Sequence, residues 1–481
     1  MVPELPAEVM QLIASQISNR QALKSCSLAA SVFVEPCQRK IYEHIYLSCD
    51  KENPGFDCST LVALLDQSPH ISNYIVDVFL HVADSNAMDD DIFEGFGAAL
   101  EHLNNVHTLN LISFGTRYWN TLPVEVAGAF LSWLDRLTLR RLKLWNIEKM
   151  PGTTLLRVLT ASPWVQLDSI NLAVESLGIN KTRPGRELET LDLIRCGDVG
   201  DVLLHPEHPY LVASLRTLYI VLNRDGTAGT DLHRLCVAAA ETLEHITLRY
   251  EISRRPPSVS LPTWLPKLQH FAVIFGIHYD APSNVDISAP FIHSLVDVVL
   301  RPSRAPVLTT LSFHSIIVTR GADQQDLKYV FEDAACLVLV DELVDQHPTM
   351  KPIVWLVSTQ FSAVSESGQD AHFAAFERAI RAAFPKASAK GMLKIRQEKP
   401  TPGIVALTLS IRTKFGMNDP SNSVREHPPQ HRSSLEKQRW PWPNTPHLAA
   451  LRIPSQLALD ERNVHLVLLK AQSEAFEAAG T

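Results

Sequence analysis

Apolar positions recur along most of the chain in a six-residue unit, apolar-x-x-apolar-x-apolar. It appears as Ile71/Tyr74/Val76, Val106/Leu109/Leu111, Leu139/Leu142/Leu144, Leu167/Ile170/Leu172 and Leu188/Leu191/Leu193, and continues as Leu215/Leu218/Ile220, Leu243/Ile246/Leu248, Leu268/Phe271/Val273 and Leu295/Val298/Leu300. The last two apolar residues of each unit flank a single residue, the two-residue period of a strand that buries one face. One such strand and its return segment cannot bury that face alone, so neighbouring units must stack to share a core.

The units repeat with a mean period of about 28 residues, inside the ~20–29 of leucine-rich repeats. Two of them extend the pattern: Leu188 to Cys196 reads L-x-x-L-x-L-x-x-C, and Leu215 to Asn223 reads L-x-x-L-x-I-x-x-N. Cys or Asn at that place hydrogen-bonds backbone in the turn after the strand. The expected fold class is therefore α/β, with an irregular leucine-rich-repeat solenoid over residues 48–400. Val307 to Val318, Pro352 to Gln360 and Gly391 to Ile395 read as strands, and Asp326 to Gln346 and Ala371 to Phe384 as helices. They supply the last repeats and a C-terminal cap. Residues 401–481 read as a Pro-rich, largely disordered tail, with Val405 to Ile411 as a final alternating stretch, prolines gathered in 416–446, and Leu457 to Ala478 as a marginal helix.

The first 47 residues follow a different period. Leu5, Val9, Leu12, Ile13 and Ile17 form one helical stripe with Pro6 in the first turn. Ser18-Asn19-Arg20-Gln21 fits a capping box that starts a second helix carrying Leu23, Cys26, Leu28 and Ala30. Cys37, Ile41 and Tyr42 mark a third.

Residues 5–47 resemble an F-box. The resemblance is carried by the Leu5-Pro6-x-Glu8-Val9 opening, Ile13 and Ile17, Leu23-x-x-Cys26-Ser27-Leu28, and the closing Phe33 to Arg39 with Ile41 and Tyr42. Two places depart from the family pattern. Ala29-Ala30-Ser31-Val32-Phe33 stands where many F-boxes carry Val-Cys and a Trp, with Phe33 in the Trp role, and Arg20-Gln21-Ala22 lacks the acidic residue before the Leu23 position. The resemblance covers about a tenth of the chain and, followed by leucine-rich repeats, is of the type abundant in fungal proteomes. It implies that Leu5, Pro6, Val9, Ile13, Leu23, Cys26, Leu28 and Phe33 bind the Skp-type adaptor of an SCF-type cullin–RING ubiquitin ligase, with the repeats as receptor for a protein substrate. The alternative is a repeat scaffold whose N-terminal helices only cap the solenoid. Exposed Leu5, Val9, Leu28 and Phe33 would need a partner to cover them, whereas burial on the first repeat would make them a cap.

Charge and composition narrow the field further. Lys and Arg number 44 against 52 Asp and Glu, for a net charge of −8, and no basic run offers a footprint for nucleic acid. The opening residues lack the pattern of a signal peptide, and stretches such as Phe271 to Ile277 or Leu337 to Val340 are too short to span a membrane. The seven cysteines contain no CxxC pair, which favours reduced thiols and a cytoplasmic or nuclear location. No P-loop, G-x-G-x-x-G, G-x-S-x-G or H-E-x-x-H occurs, so neither an enzyme nor a cofactor is expected. His205-Pro206-Glu207-His208, followed by Pro209, reads as solvated loop histidines for want of third and fourth metal ligands. Asp89 to Asp91 with Glu94 reads as the acidic start of a helix from Ile92 to Leu103.

Binding then falls to the outward positions of the strands, expected to line up across repeats on one concave surface. These run from Thr108, Asn110 and Ile112 through Ser169, Asn171 and Ala173, and Thr190, Asp192 and Ile194, to His270, Ala272 and Ile274. Arg141, Lys143, Trp145, Tyr219 and Arg249 are the candidate substrate contacts, since Trp, Tyr and Arg dominate binding hot spots. The competing reading folds Trp145 back as core and leaves the arginines merely solvated.

Overall fold

The computed structural model describes residues 6–48, 56–82, 90–173, 186–196, 198–222, 227–250, 260–278, 299–319, 335–361 and 366–398. Leu5, Asn223, Leu295, Val298 and the expected tail 401–481 lie outside these residues.

Three helices open the chain: α1 (Ala7–Gln16), α2 (Arg20–Ala29) and α3 (Val34–Tyr42). The cap of α2 is Asn19 rather than Ser18. The Asn19 side-chain oxygen accepts from the amides of Gln21 and Ala22 at 2.8 and 3.0 Å, satisfying two donors that the first turn leaves unpaired. The helices enclose a small core of Ala14, Leu23, Cys37 and Ile41, joined by Ile17, Cys26 and Phe33. Tyr42 packs against both this core and the larger one that follows.

Strand and helix then alternate. The series begins with β1 (His44–Ser48), β2 (Phe56–Asp57), α4 (Cys58–Gln67), β3 (Asp77–His81), α5 (Asp90–His102), β4 (Thr108–Tyr118), α6 (Val124–Arg136), β5 (Arg141–Met150), α7 (Gly152–Ala161) and β6 (Trp164–Leu172). It continues with β7 (Thr190–Ile194), α8 (Val199–Leu203), α9 (Tyr210–Ala213), β8 (Thr217–Leu222), α10 (Thr227–Ala238), β9 (His245–Tyr250), β10 (His270–His278) and β11 (Thr310–Thr319). The last elements are α11 (Ala335–Gln346), β12 (Ile353–Phe361), α12 (Glu366–Ala383), α13 (Pro385–Ala389) and β13 (Leu393–Glu398).

The strands form one thirteen-stranded sheet in which β3 to β13 lie side by side in chain order, with β1 beside β3 and β2 outermost. Neighbours are parallel throughout, from β1 with β2 to β12 with β13. Where helices lie between successive strands, as α4 to α8, α10 and α11 do, they supply the crossovers that parallel pairing requires. The chain is an α/β protein.

The pleat separates the two faces. Leu109 and Leu111, Leu142 and Leu144, Leu191 and Leu193, and Ile246 and Leu248 point into a core shared with residues of α4 to α8 and α10. Burying each such side chain contributes about 1.5–3 kcal/mol relative to leaving it in water. A recurrent hydrogen bond sets the register. One carbonyl before or at the start of a strand accepts two successive amides of the next, as His107 does from Arg140 and Arg141 (2.8 and 3.2 Å) and Glu189 from Arg216 and Thr217 (2.8 and 3.0 Å).

Two of the six-residue units lie elsewhere than expected. The strand near residue 75 uses Ile75, Val78 and Leu80, because Pro69–Tyr74 winds as a 3₁₀ turn. In β6 the residues in register with Leu142 and Leu144 are Val165 and Leu167, which moves the unit five places upstream of Leu167/Ile170/Leu172. Its first position is Ser162, fully buried, whose hydroxyl donates to the Trp164 carbonyl (2.9 Å) and accepts from the Trp164 amide (3.2 Å). The spacing recurs at Leu308/Leu311/Phe313 in β11, whereas the expected Leu295/Val298/Leu300 rests on Leu295 and Val298, outside the described residues. The same spacing extends the series at both ends, through Tyr42/Ile45/Leu47 and Met350/Ile353/Trp355. Among the described residues, no helix is long and apolar enough to cross a membrane.

Candidate functional site

The sheet face turned away from the helices carries side chains in register across strands. One row holds Arg141, Trp164, Thr190, Thr217, His245 and His270. The next holds Lys143, Gln166, Asp192, Tyr219 and Thr247. Trp145, Asp168 and Ile194 begin a third.

Charge and aromatic surface meet at β5 to β9. The Arg141 guanidinium and the Lys143 ammonium lie over the Trp164 ring, at 5.5 and 5.2 Å from its centroid, in cation–π contact. Asp168 accepts from Arg195 Nη2 and from Ser169 Oγ, both at 2.9 Å. Asp192 is buried in the middle of the row, and burial pushes its carboxyl up to about 7 against the opposing pull of Lys143 and Arg141. His245 and His270 stack at 4.3 Å with ring planes 4° apart, and burial lowers the pKa of both.

Arg141, Lys143 and Trp145 are half-buried and Arg249 is exposed. Tyr219 is only 3 % exposed, so it is not the open substrate contact that its place on the strand suggested. Adjacent strands stand about 4.8 Å apart, and Asp192 of β7 and Thr247 of β9 flank Tyr219 in register. Its phenol is raised above the ordinary range by burial, while the hydrogen-bonded Arg249 pulls it down. The face therefore joins two groups, Arg141 and Lys143 with Trp164 and Asp192, and Tyr219 with Arg249.

Trp164, Gln166 and Asp168 replace Ser169, Asn171 and Ala173 as the β6 contribution. The alternating run Trp164-Val165-Gln166-Leu167-Asp168 signals this in the sequence, but the polar Ser162 hides the start of its unit. Arg195 also belongs to the site through Asp168, as does the buried Asp192.

A backbone feature borders these residues. Asn146, Ser169 and Arg195 have φ of 60°, 56° and 53°, each directly after the in-register Trp145, Asp168 and Ile194. Three successive strands thus carry a left-handed residue at one level, within β5 and β6 and directly after β7, a conformation that costs a non-glycine residue roughly 1–2 kcal/mol. Cys196 supports the last of these, its thiol donating to the carbonyls of Leu167 (3.3 Å) and Ile194 (3.4 Å).

The second candidate surface is on the N-terminal helices. Leu28 is 88 % exposed, Leu12 62 % and Val32 52 %, and Pro6, Val9 and Ile13 are exposed as well. Leu23 is instead buried in the small core, with Cys26 and Phe33 half-buried against it. These three hold the helices together, and the outward apolar surface belongs to α1 and the end of α2. Elsewhere, the turn between α8 and α9 brings ligand atoms of His205, Glu207 and His208 within 4.8 Å of one another, where solvated histidines were expected.

No family model matches the chain, and comparison with curated proteins finds no match.

Proposed function

We propose that the chain is the substrate-recognition subunit of an SCF-type cullin–RING ubiquitin ligase, acting in the cytoplasm or nucleus without catalysis of its own. Residues 1–47 serve as the F-box-like module that binds the Skp-type adaptor. The parallel sheet and its helices are read as an irregular leucine-rich-repeat solenoid that presents the open face to a protein substrate. The observation that carries this reading is the apolar surface left over on the N-terminal helices. Val9, Leu12 and Ile13 share one side of α1 by helical spacing, and α1 packs beside the 3₁₀ turn that carries Val32. Scattered exposed apolar residues are ordinary, but this group sits on a module that already has its own core. A cap would turn these residues toward the sheet.

The runner-up is a scaffold whose helices only close one end of the repeats. It draws on Tyr42, which packs against both cores, and on the contact of α3 with β1. A pull-down with a Skp-type adaptor separates the two. The intact chain is expected to retain the adaptor and a Val9→Glu/Leu28→Glu variant to lose it. Both positions face water in the free chain, so the variant keeps its fold, while two charges trapped at an apolar interface cost several kcal/mol. No retention by the intact chain would favour the scaffold.

A further inference from the structure

The turn between α8 and α9 closes tightly. The His208 amide donates to the His205 carbonyl at 2.9 Å and the Leu211 amide to the His208 carbonyl at 3.1 Å. Pro206 and Pro209 directly follow the two histidines, and each ring fixes its own φ. The closure sets the two imidazoles side by side, with ring centroids 5.6 Å apart and planes tilted by 36°. Glu207, between them in sequence, brings its carboxylate to the same place, so that one ligand atom from each residue lies within 4.8 Å of the other two.

Two further contacts orient the rings. The Tyr210 hydroxyl lies 3.4 Å from His208 Nδ1, which leaves Nε2 of that ring to face a ligand. The Glu207 amide donates to His205 Nδ1 at 3.4 Å, at the long end of hydrogen bonding, where a stronger ligand displaces it. For His208, Nδ1–H donating to the Tyr210 oxygen would be the usual second-nitrogen support of a metal-bound histidine.

We propose that His205, Glu207 and His208 form a surface site for a borderline divalent transition metal, with Zn²⁺ as the reference ion. Two imidazoles and one carboxylate suit Zn²⁺, Ni²⁺ or Cu²⁺, whereas Mg²⁺ and Ca²⁺ call for an all-oxygen set. Tetrahedral ligands about 2.0–2.1 Å from zinc stand roughly 3.3 Å apart. The ligand atoms stand within 4.8 Å of one another, so reaching that value asks for an approach of at most about 1.5 Å. The remaining coordination position faces water, because Glu207 is exposed and both histidines are half-buried. The site lies on the helical return of its repeat, away from the open face of the sheet, and it does not depend on the ligase reading.

The test is a calorimetric titration of the full chain with ZnCl₂ under reducing conditions, repeated with His205→Ala/His208→Ala, with Glu207→Gln, and with His233→Ala as a control. His233 is a surface histidine on α10 whose ring contacts the Ser260 carbonyl. The unaltered chain and the control are expected to take up one more equivalent of zinc than the double variant. Glu207→Gln is expected to bind that equivalent at least tenfold more weakly, and MgCl₂ should give no heat above dilution. Circular dichroism establishes that each variant is folded. Any zinc bound by cysteine thiols is common to all four proteins and cancels in the comparison. Equal stoichiometry and affinity in the unaltered chain and the double variant would overturn the proposal, as would binding of Mg²⁺ as tight as that of Zn²⁺.

Discussion

Asp192 illustrates how position on the sheet changes the chemistry of a side chain. Its strand neighbours Leu191 and Leu193 face the core, and its own carboxyl lies on the open face, yet burial keeps its proton up to about pH 7. An unfolded aspartate releases that proton near 4. Between those two values the unfolded state binds fewer protons than the folded one, so the contribution of this group to stability falls as the pH rises. Asp192→Asn removes the penalty. Urea unfolding at pH 8 is expected to show the variant more stable by about 1–3 kcal/mol, with the gain fading toward pH 4.5. A gain of equal size at both pH values would assign it to packing rather than ionisation. For a protein that binds at this face, such a carboxyl is a group whose charge responds to whatever covers it. A cationic partner would draw it into the ionised form, and an apolar one would keep it neutral.

At the scale of the element, the aligned left-handed residues within β5 and β6 and directly after β7 make a prediction about backbone. Ser169→Ala and Ser169→Gly both remove the hydroxyl that bonds Asp168, so the difference between them isolates the conformational cost at φ 56°. The glycine variant is expected to be the more stable by about 1 kcal/mol in denaturant unfolding. Equal stability would mean that the backbone there relaxes.

The same elements show what could be read from sequence. Strands such as β4, β5, β7, β8, β9 and β10 are legible because both strand positions of their six-residue units hold Leu, Ile, Val or Phe. β6 is not, because a satisfied hydroxyl at Ser162 does the work of an apolar side chain. β3 is displaced because Ile71 and Tyr74 in a 3₁₀ turn imitate the strand period. The site residues divide in the same way. Arg141, Lys143 and Arg249 follow from outward alternation, whereas the burial of Tyr219 and Asp192 depends on neighbouring strands that lie tens of residues away.

At the scale of the whole molecule, each strand from β4 to β12 pairs with its neighbours in chain order, so damage should remain local. Trp355 tests this near the C-terminal end. Its indole donates to Ser315 Oγ at 2.9 Å, stacks on Phe313 at 4.7 Å and meets Phe376 and Phe384 edge-on. Trp355→Ala is expected to cost about 3–5 kcal/mol. Hydrogen exchange should show amide protection lost in β11 to β13 and retained in β3 to β5. Uniform loss along the chain would reveal a single cooperative unit instead.

Locality also permits a division of labour, in which the N-terminal helices dock while the open face stays free for a second partner. Amide hydrogen exchange of the intact chain, with and without a Skp-type adaptor, tests that claim most directly. The account predicts added protection confined to α1–α3, with the amides of β5 to β9 unchanged. Protection that appears on the sheet, or none anywhere at saturating adaptor, would contradict it.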